Sequence, residues 1–267
     1  MRIIAGPCQH ESLSHSFDIA KECKRVCDRY DIEYIFKASF DKANRTNISG
    51  KRGIGLEDTL KHFDTIKKSL EIKTLTDVHT EAQVYQIKDW NRMAGSVDVL
   101  QIPAFLCRQT DLIKAACDSG CIINVKKGQF LAPGDVKGIL SKTAHYGATE
   151  VWITERGTSF GYGRLINDFT GMYDLLFDLG TNFVYDITHS VQRPGGNGTS
   201  SGGDRRYVPH LARAGAALGI SSFFIEVHPD PDNAPSDGPN MLRLEDFEDT
   251  VKQIYHTYKT ANNWHWL

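Results

Sequence analysis

The chain has no apolar run approaching the ~20 residues that a membrane-spanning helix needs, so no membrane partner is expected. It also has no strong charge of either sign. Its 31 basic and 33 acidic residues leave a formal net charge of -2. No general basic field exists to hold a nucleic acid nonspecifically, and none is expected as a partner. The N-terminal stretch MRIIAGPCQH is too short and too soon interrupted to read as a signal peptide. Six cysteines (Cys8, Cys23, Cys27, Cys107, Cys117, Cys121) include no CxxC pair. Cys23 and Cys27 stand at helical spacing, which is more often packing than metal binding. A reducing cytoplasm is the expected compartment. Neither a GxxxxGK[ST] loop nor an HExxH pair occurs, which removes the P-loop and zincin classes. No linker or low-complexity segment divides the 267 residues.

What is present is a repeat. Short apolar, β-branched runs cover 2–5, 34–37, 73–76, 97–102, 122–125, 151–154, 183–185 and 222–225. Amphipathic stretches follow them at 14–29, 57–69, 80–90, 110–119, 133–144, 164–179, 204–218 and 244–258. Strands apolar on consecutive residues suit a parallel sheet buried on both faces. Eight such units favour closure into one α/β domain, a (β/α)8 TIM barrel over 1–267, with about 260–267 a loose tail.

Each strand delivers a polar or reactive residue at or just past its C-terminal end: Cys8, Lys37, Asp77, Gln101, Lys126, Arg156, then Asp186 with His189, and Glu226. In a closed parallel barrel these ends meet at one mouth, whereas an open sheet would spread them along a line. Lys37, Lys42, Lys126 and Arg156, with Arg45 and Arg108 nearby, are a local gathering of cations in a slightly acidic chain. They suit a small polyanion carrying phosphate or carboxylate groups. Read alone, Lys126 and Lys127 have a second, less favoured reading as ordinary surface residues.

Cys8, His189, Glu226 and Asp237 follow strands one, seven and eight, which adjoin in a closed barrel. Sulfur, imidazole and two carboxylates suit a first-row divalent metal such as Zn2+, Fe2+, Mn2+ or Co2+. Spacing alone leaves two other readings open, a core thiol and a hydrogen-bonded loop histidine. The Gly-rich segment 193–206 reads as a mobile lid or substrate loop and the Pro-rich segment 228–239 as a similar one, plain disorder being the other reading of both. Ser14 is a candidate cap for the first helix.

The segments AGPCQHES (5–12), FKASFDKANRT (36–46), TDVH (76–79), QIPAFLCRQTDL (101–112), NVKKGQFLAP (124–133), TERGTSFGY (154–162), DITHSVQRPGG (186–196) and EVHPDPDNAPSDGP (226–239) resemble 3-deoxy-D-manno-octulosonate-8-phosphate synthases. The resemblance spans nearly the whole chain in order. It implies a cytoplasmic (β/α)8 enzyme, usually a homotetramer, that condenses phosphoenolpyruvate with arabinose 5-phosphate and water on the way to the inner sugar of lipopolysaccharide. It implies that Lys37 and Lys42 hold the phosphoenolpyruvate carboxylate. Lys126 and Arg156, with Gln101 and the Ala104 backbone, would hold its phosphate. Asn44, Arg45 and Thr46 would grip the sugar phosphate, Asp77 a sugar hydroxyl, and Arg108 a neighbouring subunit's sugar phosphate. Phe105 and Gln192 would complete the substrate contacts. Lys42, Asp77, His189 and Cys8 would stand nearest the chemistry.

The resemblance also implies a metal. Cysteine at the position of Cys8 marks the metal-dependent members of that family and asparagine the others. The nearest alternative is 3-deoxy-D-arabino-heptulosonate-7-phosphate synthase, which takes erythrose 4-phosphate. That family typically shows KPRT where this chain has KANRT (42–46), and Asn44 resembles the octulosonate branch. Thr46 departs from a common serine but keeps the hydroxyl. A hydrolase with several ligating histidines, a Schiff-base aldolase with one isolated lysine, and a silent sugar-phosphate binder fit this residue set less well. With strand one beginning almost at once, any plug at the bottom of the barrel is expected to be minimal or to come from a partner.

Overall fold

The structure, a computed structural model, describes residues 1–44, 48–195 and 202–263. Eight parallel strands close on themselves: β1 (Arg2–Gly6), β2 (Glu33–Lys37), β3 (Lys73–Asp77), β4 (Val99–Ile102), β5 (Ile122–Lys126), β6 (Val151–Glu155), β7 (Asn182–Asp186) and β8 (Ser222–His228). β1 pairs with β8 in the register Ile3↔Phe223 and Gly6↔Glu226, which completes the ring. Gly6 is required there, because a Cβ would meet the Lys37 carbonyl oxygen at 2.1 Å.

Around the ring lie α1 (Leu13–Arg29), α2 (Leu56–Leu70), α3 (Glu81–Met93), α4 (Thr110–Asp118), α5 (Val136–His145), α6 (Phe169–Tyr173), α7 (Val208–Ala217) and α8 (Phe247–Asn263). The strand side chains therefore sort into two cores. Ile3, Phe36, Leu100, Ile123, Ile153 and Ile225 point outward against the helices. Ile4, Ile35, Leu75, Val99, Trp152, Val184 and Phe224 fill the barrel interior, as the period of two requires.

Three expectations need correction. The helix expected over 164–179 begins only at Phe169, where Asp168 caps it by accepting from Gly171 N at 3.1 Å. It continues as a π-helical turn over Asp174–Asp178. The reason is that Leu165 is buried against Gly157 and Ile166 bridges Thr158, so the amphipathic pattern there serves a loop cover. Ser12, not Ser14, is the N-cap of α1, accepting from His15 N. The last helix runs to Asn263, past the expected start of the tail; residues 264–267 lie outside the described part.

The bottom of the barrel is plugged from within. The Arg2 guanidinium lies 4.0 Å from the centroid of the Trp152 ring and its Nε donates to Glu33 at 2.8 Å. Glu33 in turn accepts from Lys73 Nζ at 2.7 Å. Above the apolar interior sits a polar layer, in which Thr154 donates to Asn124 and Asn124 to Gln101. The mouth begins there.

Candidate active site

The C-terminal strand ends open into a cavity of about 560 Å3. Lys37, Lys42, Asn44, Asp77, Gln101, Ala104, Phe105, Lys126, Arg156, His189, Gln192 and Asp237 all line it. Cys8 and Glu226 lie beneath it, each about 1% exposed. Arg108 is exposed on the turn before α4, outside the lining. Arg45 and Thr46 lie outside the described residues.

Four donors gather on the β1–β7–β8 side. Cys8 Sγ, a His189 ring nitrogen and one oxygen each from Glu226 and Asp237 all lie within 4.8 Å of one another. Metal–ligand bonds of about 2.0–2.3 Å span such a set with small side-chain movements. The parts are well held. Cys8 Sγ contacts Asp237 Oδ2 at 3.2 Å, and Asp237 sits in a left-handed backbone conformation at φ 51°. His189 Nδ1 is 2.7 Å from Asp186 Oδ2 while its Nε2 faces Glu226 Oε2 at 3.4 Å. Asp186 also accepts from the Thr188 and His189 backbone N–H groups. A carboxylate behind an imidazole orients it toward a cation. Burial, reinforced by Glu226, pushes the Cys8 thiol well above its usual range.

The cations face this set. Lys37 Nζ donates to Glu226 Oε1 at 2.9 Å and to the Cys8 carbonyl at 3.2 Å. Lys126 pairs with Asp186, its ammonium 3.3 Å from the Phe224 ring centroid. Burial, opposed only in part by Asp186, pushes the Lys126 ammonium down to about 8. Arg156 Nη2 donates to Gln192 at 2.6 Å, and its Nη1 is buried without a hydrogen-bond partner among the described residues. Lys42 donates to Ser39 Oγ at 3.0 Å; burial disfavours its charge, but Cys8, Glu226, Asp77 and Asp237 together hold it above the ordinary lysine range.

The gathering of cations expected from the sequence is therefore answered residue by residue. Among the described residues, Lys37, Lys42, Lys126 and Arg156 meet the four carboxylates Asp77, Asp186, Glu226 and Asp237.

Sequence reading passed over several parts of this site. His79 Nε2 is 3.2 Å from Asp77 Oδ2 at the wall of the cavity; it stands two residues beyond a strand-end aspartate, and that alternation was a usable signal. Lys127, far from being an ordinary surface residue, is buried, pairing with Glu155 at 3.2 Å and donating to the Leu131 carbonyl at 2.8 Å. Glu155 accepts the Arg156 and Gly157 backbone N–H groups, fixing the turn that carries Arg156. No local motif marks that pair.

A parallel barrel with cations and a four-donor cluster at its mouth is the architecture of a phosphate-handling enzyme. The family model described as DAHP synthetase I family matches residues 1–261. The chain is 52% identical over 254 residues to a 2-dehydro-3-deoxyphosphooctonate aldolase of Nitrobacter hamburgensis, covering 95% of this chain and 86% of the relative. It is 49% identical over 254 residues to the protein of that name from Bartonella tribocorum, covering 95% and 89%. It is 50% identical over 261 residues to that from Bradyrhizobium diazoefficiens, covering 98% and 90%. The chain belongs to the DAHP synthetase I family, alongside its 2-dehydro-3-deoxyphosphooctonate aldolases. The family's label names the heptulosonate reaction, but these relatives carry the octulosonate name. No helix among the described residues is long and apolar enough to cross a membrane.

Proposed function

We propose that the chain condenses phosphoenolpyruvate with D-arabinose 5-phosphate and water, releasing phosphate and 3-deoxy-D-manno-octulosonate 8-phosphate, the precursor of a lipopolysaccharide inner-core sugar. The observation that carries this reading is the cavity lining. Lys37, Lys126 and Arg156 converge on it in a chain about half identical to relatives bearing that enzyme's name.

Lys37 and Lys42 take the carboxylate of phosphoenolpyruvate. Lys126, the open Nη1 of Arg156, Gln101 and the Ala104 backbone take its phosphate. Asn44 begins the segment that grips the sugar phosphate, and Phe105 and Gln192 complete the substrate walls. Asp77 Oδ1 has no hydrogen-bond partner among the described residues, which leaves an acceptor for a sugar hydroxyl. Held this way, C3 of the enol attacks the aldehyde carbon and the water oxygen adds to C2. One water proton goes to the former aldehyde oxygen, and the C2–O bond to phosphate breaks as the second passes to the leaving phosphate, leaving the water oxygen as the C2 ketone. Two phosphates and a carboxylate come together in one space, and the cations offset their repulsion.

The cluster Cys8, His189, Glu226 and Asp237 fits a divalent first-row ion by its donor chemistry. Such an ion, when bound, supplies electrostatic stabilisation and orientation of an oxygen at the mouth. A dication also tips the balance of four cations against four carboxylates toward anion binding. In the proposed homotetramer, the exposed Arg108 reaches a neighbouring subunit's sugar phosphate. Phosphate release measured with arabinose 5-phosphate and with erythrose 4-phosphate tests the substrate assignment. Comparable kcat/KM for the two aldehydes would overturn it.

A further inference from the structure

Three of the four cations on the phosphoenolpyruvate side, Lys37, Lys126 and Arg156, are each tied to a donor of the Cys8 cluster by one short link. Lys37 reaches Glu226 directly at 2.9 Å. Lys126 shares Asp186 with His189. Arg156 Nη2 donates to Gln192 Oε1 at 2.6 Å, and Gln192 Nε2 donates to Asp237 Oδ1 at 2.8 Å. The sense of the Gln192 amide is fixed, because turning it over would set NH2 against a guanidinium and oxygen against a carboxylate. Gln192 is 7% exposed, so water cannot readily replace it.

We infer that anion binding at the mouth and dication binding at the Cys8 cluster are positively coupled, and that Gln192 is the positioning residue carrying the Arg156 branch. The inference rests on the reading above that the mouth takes phosphoenolpyruvate and the cluster a metal. Lys37 and Gln192 engage Glu226 and Asp237, carboxylates the cluster would offer a dication. A dication neutralises both and releases Lys37 and Arg156 toward an anion. An anion drawing those cations to itself frees carboxylate lone pairs for the dication. Such coupling is reciprocal: each ligand changes the other's affinity by the same factor. Asp237 Oδ2 faces Cys8 and Ser236, so losing the Gln192 contact releases only Oδ1 and leaves the donor set present.

The test is a binding titration without turnover. Apo protein is titrated with Co2+, read by thiolate-to-cobalt charge-transfer absorption, with and without saturating phosphoenolpyruvate and with no aldehyde present. Phosphoenolpyruvate is then titrated calorimetrically with and without Co2+. Both affinities should tighten by one common factor of about five-fold or more. Gln192→Met should lower that factor by about two-fold or more, leaving the Lys37 and Asp186 links. Gln192→Asn, which keeps an amide but cannot span the gap, should do the same, with thermal unfolding reporting that each variant is folded. Co2+ affinity unchanged by phosphoenolpyruvate in the wild type overturns the coupling while leaving the metal reading intact. A missing thiolate band overturns the metal reading itself. An equal factor in the wild type and a folded variant removes Gln192 from the path.

Discussion

The two ends of the barrel are made by the same eight strands and solve opposite problems. At the bottom, Arg2, Glu33 and Lys73 form a partly exposed ionic cap on Trp152 and the apolar interior. Their side chains remain 21–48% exposed, so water carries much of the charge. At the mouth, Lys37, Lys126, Asp186 and Glu226 are buried at 4% exposure or less. Burying charge is expensive unless every group is paired, and these groups are paired with one another. The bottom therefore contributes modest stability, while the mouth holds charges that the proposed substrate and metal would re-partner. Changes at the mouth should alter activity far more than changes at the bottom.

The largest effect should come from the donor cluster. Exhaustive chelation should abolish turnover, and Mn2+ or Co2+ should restore it. Cys8→Ser should bind metal poorly and lose most activity, because a hydroxyl is a much weaker ligand than a thiolate for borderline metals. Cys8→Asn installs the residue that the resemblance associates with metal independence, and it should retain some metal-free turnover. Full activity in chelated protein with no metal by elemental analysis would make Cys8 a core thiol and the mouth a purely protein-built anion site.

Next is Arg156→Ala. Its Nη1 is the open donor and its Nη2 holds Gln192, so both an anion contact and a positioning contact go. Losing one partner of a buried charged pair costs about 2–5 kcal/mol, or roughly 30-fold to several thousand-fold in kcat/KM for phosphoenolpyruvate. An unchanged kcat/KM would place Arg156 outside the anion site.

A pH profile separates the ends more finely. Lys126, pushed down to about 8 by burial, is cationic below that pH and neutral above it. Its contribution to anion binding is present at low pH and lost as pH rises through about 8. The free-enzyme profile, kcat/KM against pH, should fall on the alkaline side from about 8. Lys126→Arg should move that limb upward, since a guanidinium stays protonated. The stability sign is the reverse: between about 8 and the ordinary lysine value the unfolded chain binds more protons than the folded one, so stability rises with pH there. An alkaline limb identical in Lys126→Arg would assign it to another group.

Much of this contrast was legible in the sequence, for a physical reason. Consecutive apolar residues announce strands buried on both faces, and a parallel barrel forces their ends to one mouth, so Lys37, Asp77, Lys126, Asp186 and Glu226 could be placed together without coordinates. What the sequence hid was partnership. Asp186 serves both Lys126 and His189 only because β5 and β7, which flank β6, send their last side chains into the same layer at the mouth. Lys127 and Glu155 meet through the β5–β6 register, where Lys126 opposes Thr154. Pairing of this kind depends on strand stagger around the ring, which no local window records. The misplaced helix over 164–168 fails for a related reason: Leu165 has helical spacing but is used to cover Gly157.

The smallest effect, and the one that sharpens the contrast most, is Arg2→Met. Arg2 stacks on Trp152 at 4.0 Å and donates to Glu33 at 2.8 Å. Both contacts lie at the solvent edge, where a cation–π contact contributes about 0.5–1 kcal/mol and an ion pair about 0–1 kcal/mol. Methionine keeps the apolar stem over the indole, and Glu33 retains Lys73 at 2.7 Å. The expected loss is therefore about 0.5–2 kcal/mol, a Tm decrease of roughly 1–8 °C for a chain of this size. Because the apolar interior layer of Ile4, Ile35, Leu75, Val99, Val184 and Phe224 lies between Arg2 and the cavity, kcat/KM for both substrates should stay within about two-fold, the effect of less than 0.5 kcal/mol. Thermal unfolding and steady-state kinetics on the same preparation check both halves. A ten-fold fall in kcat/KM at unchanged Tm would mean that strain at the bottom reaches the mouth through the strands, and the division between the two ends would not hold.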